Sequence, residues 1–336
     1  MSRPGAARPE WVEWLGDDAA WDRVVESSAT PTLQQTTAWA AHRADAGWSA
    51  LRLATADGAA HAQVLLRRGP AASAVAWVPG GPIGPLAGAH AGLARAVRDA
   101  AGARLAYVRI NALREARDDD AAALAAGGWA RVVRPLTSGT TMWLDLRAGL
   151  DALRDGLSTN WAHNLRRGEA RNAGAGPWTD ATAPQIADLH REVAVAKGIA
   201  LGAQVPDETT IASLLARLGS RVVVHHCVDA QGATLAMRAA ALVGDVAVDL
   251  LAATSAAGRK TYAAYAACWS LVAECVRRGA TRYDLAGIDA VRNKGVYDFK
   301  RGTGAREVHS LGEWDAARPS VLRTPARRMI RRQRPS

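Results

Sequence analysis

The run Tyr283-Asp284-Leu285-Ala286-Gly287-Ile288-Asp289, followed by Lys294-Gly295-Val296-Tyr297-Asp298-Phe299-Lys300-Arg301-Gly302-Thr303-Gly304 and then Gly312-Glu313-Trp314-Asp315, is the part of this chain whose reading decides the rest. At its centre lies the only phenylalanine among 336 residues, Phe299, directly before Lys300. A chain that fills its core with Ala, Val, Leu and 12 Trp has little use for a single Phe as filler. Beside a lysine, in a stretch of alternating apolar and charged residues, it marks a site. The alternation predicts a strand, with Phe299 packing on the face opposite Lys300 or lining a pocket. Arg282 to Leu285 reads as a short strand leading to Gly287.

Upstream, Thr261 to Arg278 has the spacing of a long amphipathic helix stopped by Gly279. Before it come strands Arg221–Val228 and Leu235–Val243 around the turn at 229–232, and a third strand, Val246–Ala253. Helices are expected over Leu150–Arg171, Ala183–Lys197 and Glu208–Leu218, after a strand Thr140–Leu146. The first third repeats this order. It has a helix over Leu33–Ala46, strands Trp48–Ala54, His61–Arg67 and Ser73–Val78, a helix Ala89–Ala103, a strand from Arg104 to Ile110 ending at Asn111, and a helix Asp118–Gly127. Between them Pro79-Gly80-Gly81-Pro82-Ile83-Gly84-Pro85 reads as a rigid loop at the surface or lining a cleft. The echo predicts two α/β domains of one type, residues 1–140 and 141–317, with a cleft between them.

The formal net charge is +10, which favours anionic partners: nucleic acid, phosphate-bearing substrates or an anionic membrane surface. Six arginines crowd the tail: Arg323, Arg327, Arg328, Arg331, Arg332 and Arg334. They read equally as a solvated, frayed end and as a polyanion contact, and the segment 318–336 is a candidate to pack back on the first domain. Cys227, Cys268 and Cys275 form no CxxC and no disulfide framework, so they read as reduced thiols, with Cys268 and Cys275 in the core. No basic leader followed by an apolar run is present, and no apolar run reaches spanning length. The expected location is the cytoplasm.

Several chemistries lack their signatures. There is no HExxH, Walker A, GxGxxG or GxSxG. His225 and His226 are adjacent on a strand and point to opposite faces, away from a shared metal.

The C-terminal run resembles the Fem family of peptidyltransferases, whose signature is close to Tyr-Asp-Leu-Gly-Gly-Ile, then Gly-Leu-Tyr-x-Phe-Lys-x-Gly-Phe-Gly, then Gly-x-Trp/Ile-Asp. Ala286 and Thr303 depart from it. Leu33-Gln34-Gln35 through Trp39 and Arg43 to Trp48, Val78-Pro79-Gly80-Gly81-Pro82, the helix Trp161 to Glu169, and Tyr262 to Gly279 are similar to further family segments. The resemblance implies two acyl-CoA-N-acyltransferase-like (GNAT-type) domains, the second holding the reaction centre. Without a long inserted helical arm, the chain is similar to the compact FemX type. It also implies transfer of an amino acid from aminoacyl-tRNA to an amine acceptor, with no cofactor beyond that co-substrate, by a monomer. A peptidoglycan precursor is the family's commonest acceptor; relatives in antibiotic clusters acylate small molecules or short peptides.

Residue by residue, the resemblance makes Lys300 the catalytic cation that stabilises charge developing on the ester carbonyl oxygen. Phe299, Tyr262 and Tyr265 become candidates for contact with substrate, and Arg43 for the acceptor's diphosphate. Arg166, Arg167 and Arg171 form a basic helix face suited to a tRNA stem. Asn111 stands where compact members carry an Asp that binds the acceptor peptide, and it loses that charge. Ala162 stands where the basic helix usually has Arg. Two rival readings stay open. An acyl-CoA-dependent N-acyltransferase would have only Gly302-Thr303-Gly304 as its phosphate loop, and a non-catalytic nucleic-acid binder would use the net charge alone.

Overall fold

The computed structural model describes residues 10–85, 90, 92–196, 198, 205–318, 323, 324, 326 and 327. The chain forms two compact units, 1–139 with 309–335, and 140–308. The first contains β1 (Trp11–Glu13), α1 (Asp18–Glu26), α2 (Thr37–Asp45), β2 (Ser49–Thr55), β3 (His61–Gly69), β4 (Ser73–Pro79), α3 (Leu93–Ala100), β5 (Leu105–Glu115), α4 (Asp118–Ala126) and β6 (Ala130–Arg131). The second contains β7 (Thr140–Asp145), α5 (Gly149–Asp155), α6 (Thr159–Arg171), β8 (Gly174–Pro177), α7 (Ala183–Ala196), α8 (Glu208–Leu218), β9 (Val222–Val228), β10 (Thr234–Val243), β11 (Val246–Thr254), α9 (Ala256–Lys260), α10 (Ala263–Arg277), β12 (Arg282–Gly287) and α11 (Lys294–Arg301). β13 (Arg306–Arg318) then carries the chain back into the first unit.

The echo in the sequence is an echo in topology. In the first unit β2, β3 and β4 form an antiparallel meander, β4 pairs β5 in parallel, and β13 closes beside β5. In the second, β9, β10 and β11 form the meander, β11 pairs β12 in parallel, and β7 closes beside β12. A parallel pair needs a crossover; α3 supplies it in one unit and α9 with α10 in the other. The first core gathers Leu53, Val64, Val78, Leu93, Val97, Val108 and Ile110. The second gathers Met142, Leu144, Trp161, Cys268, Leu271, Cys275 and Tyr283. Both helical cysteines are therefore core residues, as their spacing predicts.

Several elements differ from expectation for local reasons. The helix expected over 150–171 is two helices, because Gly156 ends α5 and the Ser158 hydroxyl caps α6 by accepting from the Trp161 amide. The helix expected from Leu33 opens as a 3-10 turn and becomes α-helical only at Thr37, after the Thr36 cap. The helix expected from Thr261 is broken at Tyr262, which adopts φ 61° between α9 and α10. The strand expected to stop at Asn111 runs on to Glu115. The Pro79–Pro85 loop is buried from Pro79 to Ile83 and reaches the surface only at Gly84 and Pro85; Gln35 serves its buried part, donating to the Pro79 carbonyl at 2.7 Å. Ala89, Lys197 and Arg328, Arg331, Arg332 and Arg334 of the tail lie outside the described residues. The other two tail arginines are half-buried and ion-paired within the first unit. Arg327 donates to both oxygens of Asp315, at 2.5 and 3.0 Å, and Arg323 pairs with the same carboxylate at 3.4 Å.

Candidate functional site

Phe299 and Lys300 lie on a helix, not a strand. A five-residue alternation fits both periods, and the apolar residues Val296 and Phe299 with Lys300 recur at the three-to-four spacing of one helix face. Lys294 and Asp298 form an i,i+4 ion pair at 2.5 Å on the exposed side of α11. Two end carbonyls of the helix find donors: the Trp161 indole N–H reaches the Phe299 carbonyl at 3.0 Å, and the Thr303 hydroxyl reaches that of Lys300 at 2.7 Å. Gly302 follows because a Cβ there would stand 2.7 Å from the Trp161 ring.

The helix holds Lys300 with 6% of its surface exposed. Its Nζ donates to the carbonyls of Gly287 and Ala286, at 2.9 and 3.3 Å. Those carbonyls are presented by an irregular end of β12, where Ala286 takes φ 61° and the register with β7 shifts between Asp284 and Gly287. Burial lowers the Lys300 pKa, Arg238 lowers it further, and Asp249 and Asp284 oppose the shift.

Around Lys300 the unit assembles charges that the sequence reading missed. Arg238 on β10 and Asp249 on β11 form a bidentate pair, 2.8 and 2.7 Å. The Tyr283 hydroxyl donates to the same carboxylate at 2.8 Å. Burial opposes the Arg238 charge, yet Asp249 outweighs it and the guanidinium pKa stands well above its ordinary value. Asp284 is pushed upward by burial, against hydrogen bonds from Thr141, the Ala286 amide and Trp143. One signal could have found the pair: Arg238 and Asp249 are lone opposite charges inside two otherwise apolar strands, Ala236–Ala241 and Val246–Leu251. A register shift between Ala239 and Ala240 leaves Leu250 as an extra residue on β11, the kind of bulge that re-aims a neighbouring side chain.

The aromatic candidates also converge here. Phe299 packs against Trp161 and Tyr265, ring centroids 5.7 and 5.0 Å apart, and the Arg238 guanidinium lies 5.5 Å from its ring. Phe299 is thus half-buried among aromatics, on the same helix face as Lys300 rather than across a strand from it. Tyr265 also meets Tyr262 at 6.3 Å. Arg167 and Arg171, one turn apart on α6, lie over the Tyr262 ring at 5.2 and 5.4 Å, and Arg167 donates to its hydroxyl at 2.8 Å. Gly168 lets that helix approach, as a Cβ there would come within 2.7 Å of the Tyr262 carbonyl. Arg166 is exposed and points to no partner among the described residues.

Arg43 and Asn111 belong to the first unit. Arg43 is buried on α2, and burial followed by the neighbouring Arg67 lowers its pKa. Asn111, 3% exposed, donates to the Thr137 hydroxyl at 3.2 Å. That hydroxyl and the amides of Leu136 and Thr137 each donate to Glu313 at 2.8 Å, which also forms an ion pair with the fully buried Arg109. No group of His, Cys, Asp and Glu capable of holding a metal occurs among the described residues. No described helix is long and apolar enough to cross a membrane.

Comparison with known proteins agrees with this architecture. Residues 209–322 match the profile of the FemAB family. No curated protein sequence matches the chain. Among solved structures, FemX superposes with a TM-score of 0.79 at 17% identity, over 91% of this chain and 96% of that one. A conserved protein of unknown function from Bacteroides thetaiotaomicron gives 0.61 at 11% identity, over 92% and 99%. A tandem GNAT protein from the clavulanic acid biosynthesis pathway gives 0.56 at 16%, over 92% and 98%. The fold is that of two GNAT-like domains, and the FemAB match falls on the segment from β9 to β13, where Lys300 and its partners lie.

Proposed function

We propose that the chain moves an amino acid from aminoacyl-tRNA to an amine acceptor, with a peptidoglycan precursor as that acceptor. The acceptor amine attacks the ester carbonyl carbon, the bond to the ribose oxygen breaks, and the amine's proton leaves with the freed 3′-terminal hydroxyl. An ester becomes an amide, and the ester's own activation drives the step.

The carrying observation is the setting of Lys300. An ammonium has three donors. Two are engaged by the Gly287 and Ala286 carbonyls, which fix the side chain and leave the third for an oxyanion. A buried, preorganised cation of this kind is worth most where negative charge develops. Phe299, Tyr265 and Tyr262 are the candidate walls for the aminoacyl group. Arg167 and Arg171 are the candidate contacts for RNA phosphate, with exposed Arg166 beside them. Arg43 remains the candidate for an acceptor diphosphate.

Asn111 favours a second reading of the acceptor. It is neutral and already bonded to Thr137, so it offers a peptide ammonium no charge, which favours a small amine. The test is transfer from tRNA charged with each amino acid to a nucleotide-linked muropeptide and to a panel of small amines. Lys300→Ala is expected to lower transfer by about 10²- to 10³-fold. Full activity in that variant would remove Lys300 from the chemistry. No transfer to either acceptor set would favour acyl-CoA as donor.

A further inference from the structure

The carbonyls that hold Lys300 belong to Ala286 and Gly287, at the end of β12. Tyr283 and Leu285 enter the core, so the period of two places Asp284 on the opposite face of that strand. From the pair Asp284–Trp143 to the pair Gly287–Thr141, β12 advances three residues while β7 advances two. The extra residue is a bulge, which bends a strand and re-aims what it carries. Ala286, at φ 61°, absorbs the bend. The ladder resumes at once, since the Ile288 amide donates to the Thr140 carbonyl at 3.0 Å. The distortion is confined to the stretch whose carbonyls hold the ammonium.

The Asp284 carboxylate ties the two sides of this bulge. One oxygen accepts from the Ala286 amide at 2.9 Å and from the Thr141 hydroxyl at 2.5 Å, and the other accepts from the Trp143 indole at 3.1 Å. The first bond stays within β12 and the other two reach across to β7. An indole N–H and an amide N–H can only donate, and they approach different oxygens, so the setting is built for two acceptors. An asparagine would turn its NH₂ toward one of these donors. A turn of this kind needs only one side-chain oxygen, and a buried carboxylate is costly where a neutral group would serve. The charge therefore has a use beyond the turn, and the ammonium held by the Ala286 and Gly287 carbonyls is the cation it can serve. Among the described residues, titratable groups act on that ammonium from each neighbouring strand and from α10: Asp249 on β11, Arg238 on β10, Asp284 on β12 and Cys268 on α10. Asp249 is committed to Arg238 and Tyr283. The hydrogen bonds that Asp284 accepts come from neutral groups, with a smaller coulombic pull from Arg282.

We propose that Asp284 is a positioning residue for Lys300: its carboxylate fixes the bulge of β12 so that the Ala286 and Gly287 carbonyls hold the amine in place, and its charge complements the ammonium. This rests on the proposed function only in taking Lys300 as the cation that meets the oxyanion.

The chain has four lysines, Lys197, Lys260, Lys294 and Lys300, so NMR of protein carrying isotope-labelled lysine resolves Lys300, assigned by its loss in Lys300→Met. That titration needs no catalysis. Asp284→Asn is expected to lower kcat for transfer about 10- to 100-fold, with KM for aminoacyl-tRNA little changed. Removing a negative charge near an ammonium disfavours the ammonium, so the Lys300 signal and the alkaline limb of the rate profile should both move to lower pH. Added to Lys300→Ala, Asp284→Asn should cost no further kcat, because a residue that acts through Lys300 then has nothing to act on. Should Asp284→Asn not fold, Thr141→Val and Trp143→Phe decide the matter: each keeps the carboxylate, removes one donor, and should lower kcat by less. Unchanged kcat and Lys300 titration in both overturns the proposal. An Asp284→Asn protein that loses stability but keeps its kcat and its Lys300 titration overturns it too, and so does a full additional loss in the double variant. A wild-type protein that transfers nothing from aminoacyl-tRNA overturns the proposed function; the Lys300 titration then decides the positioning role by itself, a shift in Asp284→Asn supporting it and an unmoved signal overturning it.

Discussion

The two units build the same parallel strand pair and end it differently. In the first, β4 and β5 stay paired from Ser73 and Leu105 through Pro79 and Asn111. In the second, β11 and β12 pair only from Val246 and Arg282 to Val248 and Asp284. Where they part, Asp249 turns to Arg238, and the Ala286 and Gly287 carbonyls turn to Lys300. In the first unit two buried carboxylates gather the polar groups around them. Glu313 takes Arg109, two amides and the Thr137 hydroxyl, while Asp315 takes Tyr107, Arg327 and Arg323. In the second, Arg238, Asp249 and Tyr283 close in the same way, but one cation is left over. A paired network specifies a fold; a buried cation held only by carbonyls can still answer to an arriving anion.

The largest test of that contrast is Glu313→Ala. Removing one partner of a buried ion pair leaves the other charge uncompensated, which costs about 3–5 kcal/mol, and here two backbone amides lose their acceptor as well. Urea unfolding should show the loss. A cost under about 1 kcal/mol would mean that the first unit's network is not the closed structural device described, and the comparison would fail on that side. Lys300→Ala is expected to do the reverse, with its main effect on transfer and little on the unfolding midpoint.

The pH dependence of Lys300 sharpens the same point, because activity and stability should move in opposite directions. The protonated amine is the form that stabilises an oxyanion. Its pKa is lowered from the ordinary 10.5, so transfer should fall as pH rises through a value below the usual lysine range. Between the folded and ordinary pKa the unfolded chain binds more protons than the native one, so the Lys300 contribution to stability should rise with pH across that window. Lys300→Met should abolish both trends. A stability profile that coincides with that of Lys300→Met over the alkaline range would show that burial does not perturb this amine.

Much of the frame is legible before folding. The repeated strand–helix order carries the two units, and Glu208–Leu218 is a helix to the residue, since Asp207 caps it and its apolar residues keep one face. The site is legible in identity and not in form. Lys300 stands out by its neighbours, but eight residues of α11 are too few to separate a helical from an alternating pattern. Arg238 and Asp249 each stand out as a lone charge in an apolar strand, but that they face one another depends on the bulge at Leu250, which no sequence pattern marks. Arg109 and Glu313 meet only because β13 returns to the first unit after the whole of the second.

The smallest effect concerns the backbone that aims the carbonyls, and it should carry opposite signs in the two units. Ala286 holds φ 61°, which costs a residue with a Cβ about 1–2 kcal/mol. Glycine removes that strain while giving back about 0.5–1 kcal/mol of unfolded-state entropy. Ala286→Gly should therefore leave stability unchanged or raise it by up to about 1 kcal/mol. Ala112 occupies extended backbone in β5, paired opposite Gly312 and 1% exposed. Ala112→Gly has no strain to release and also loses a buried methyl, so it should cost about 1 kcal/mol or more. Urea midpoints of the two variants read the difference directly. If both substitutions destabilise alike, the Ala286 methyl is packing against something worth more than its strain, and the turn at the end of β12 is held by side-chain contact rather than tolerated for the sake of its carbonyls.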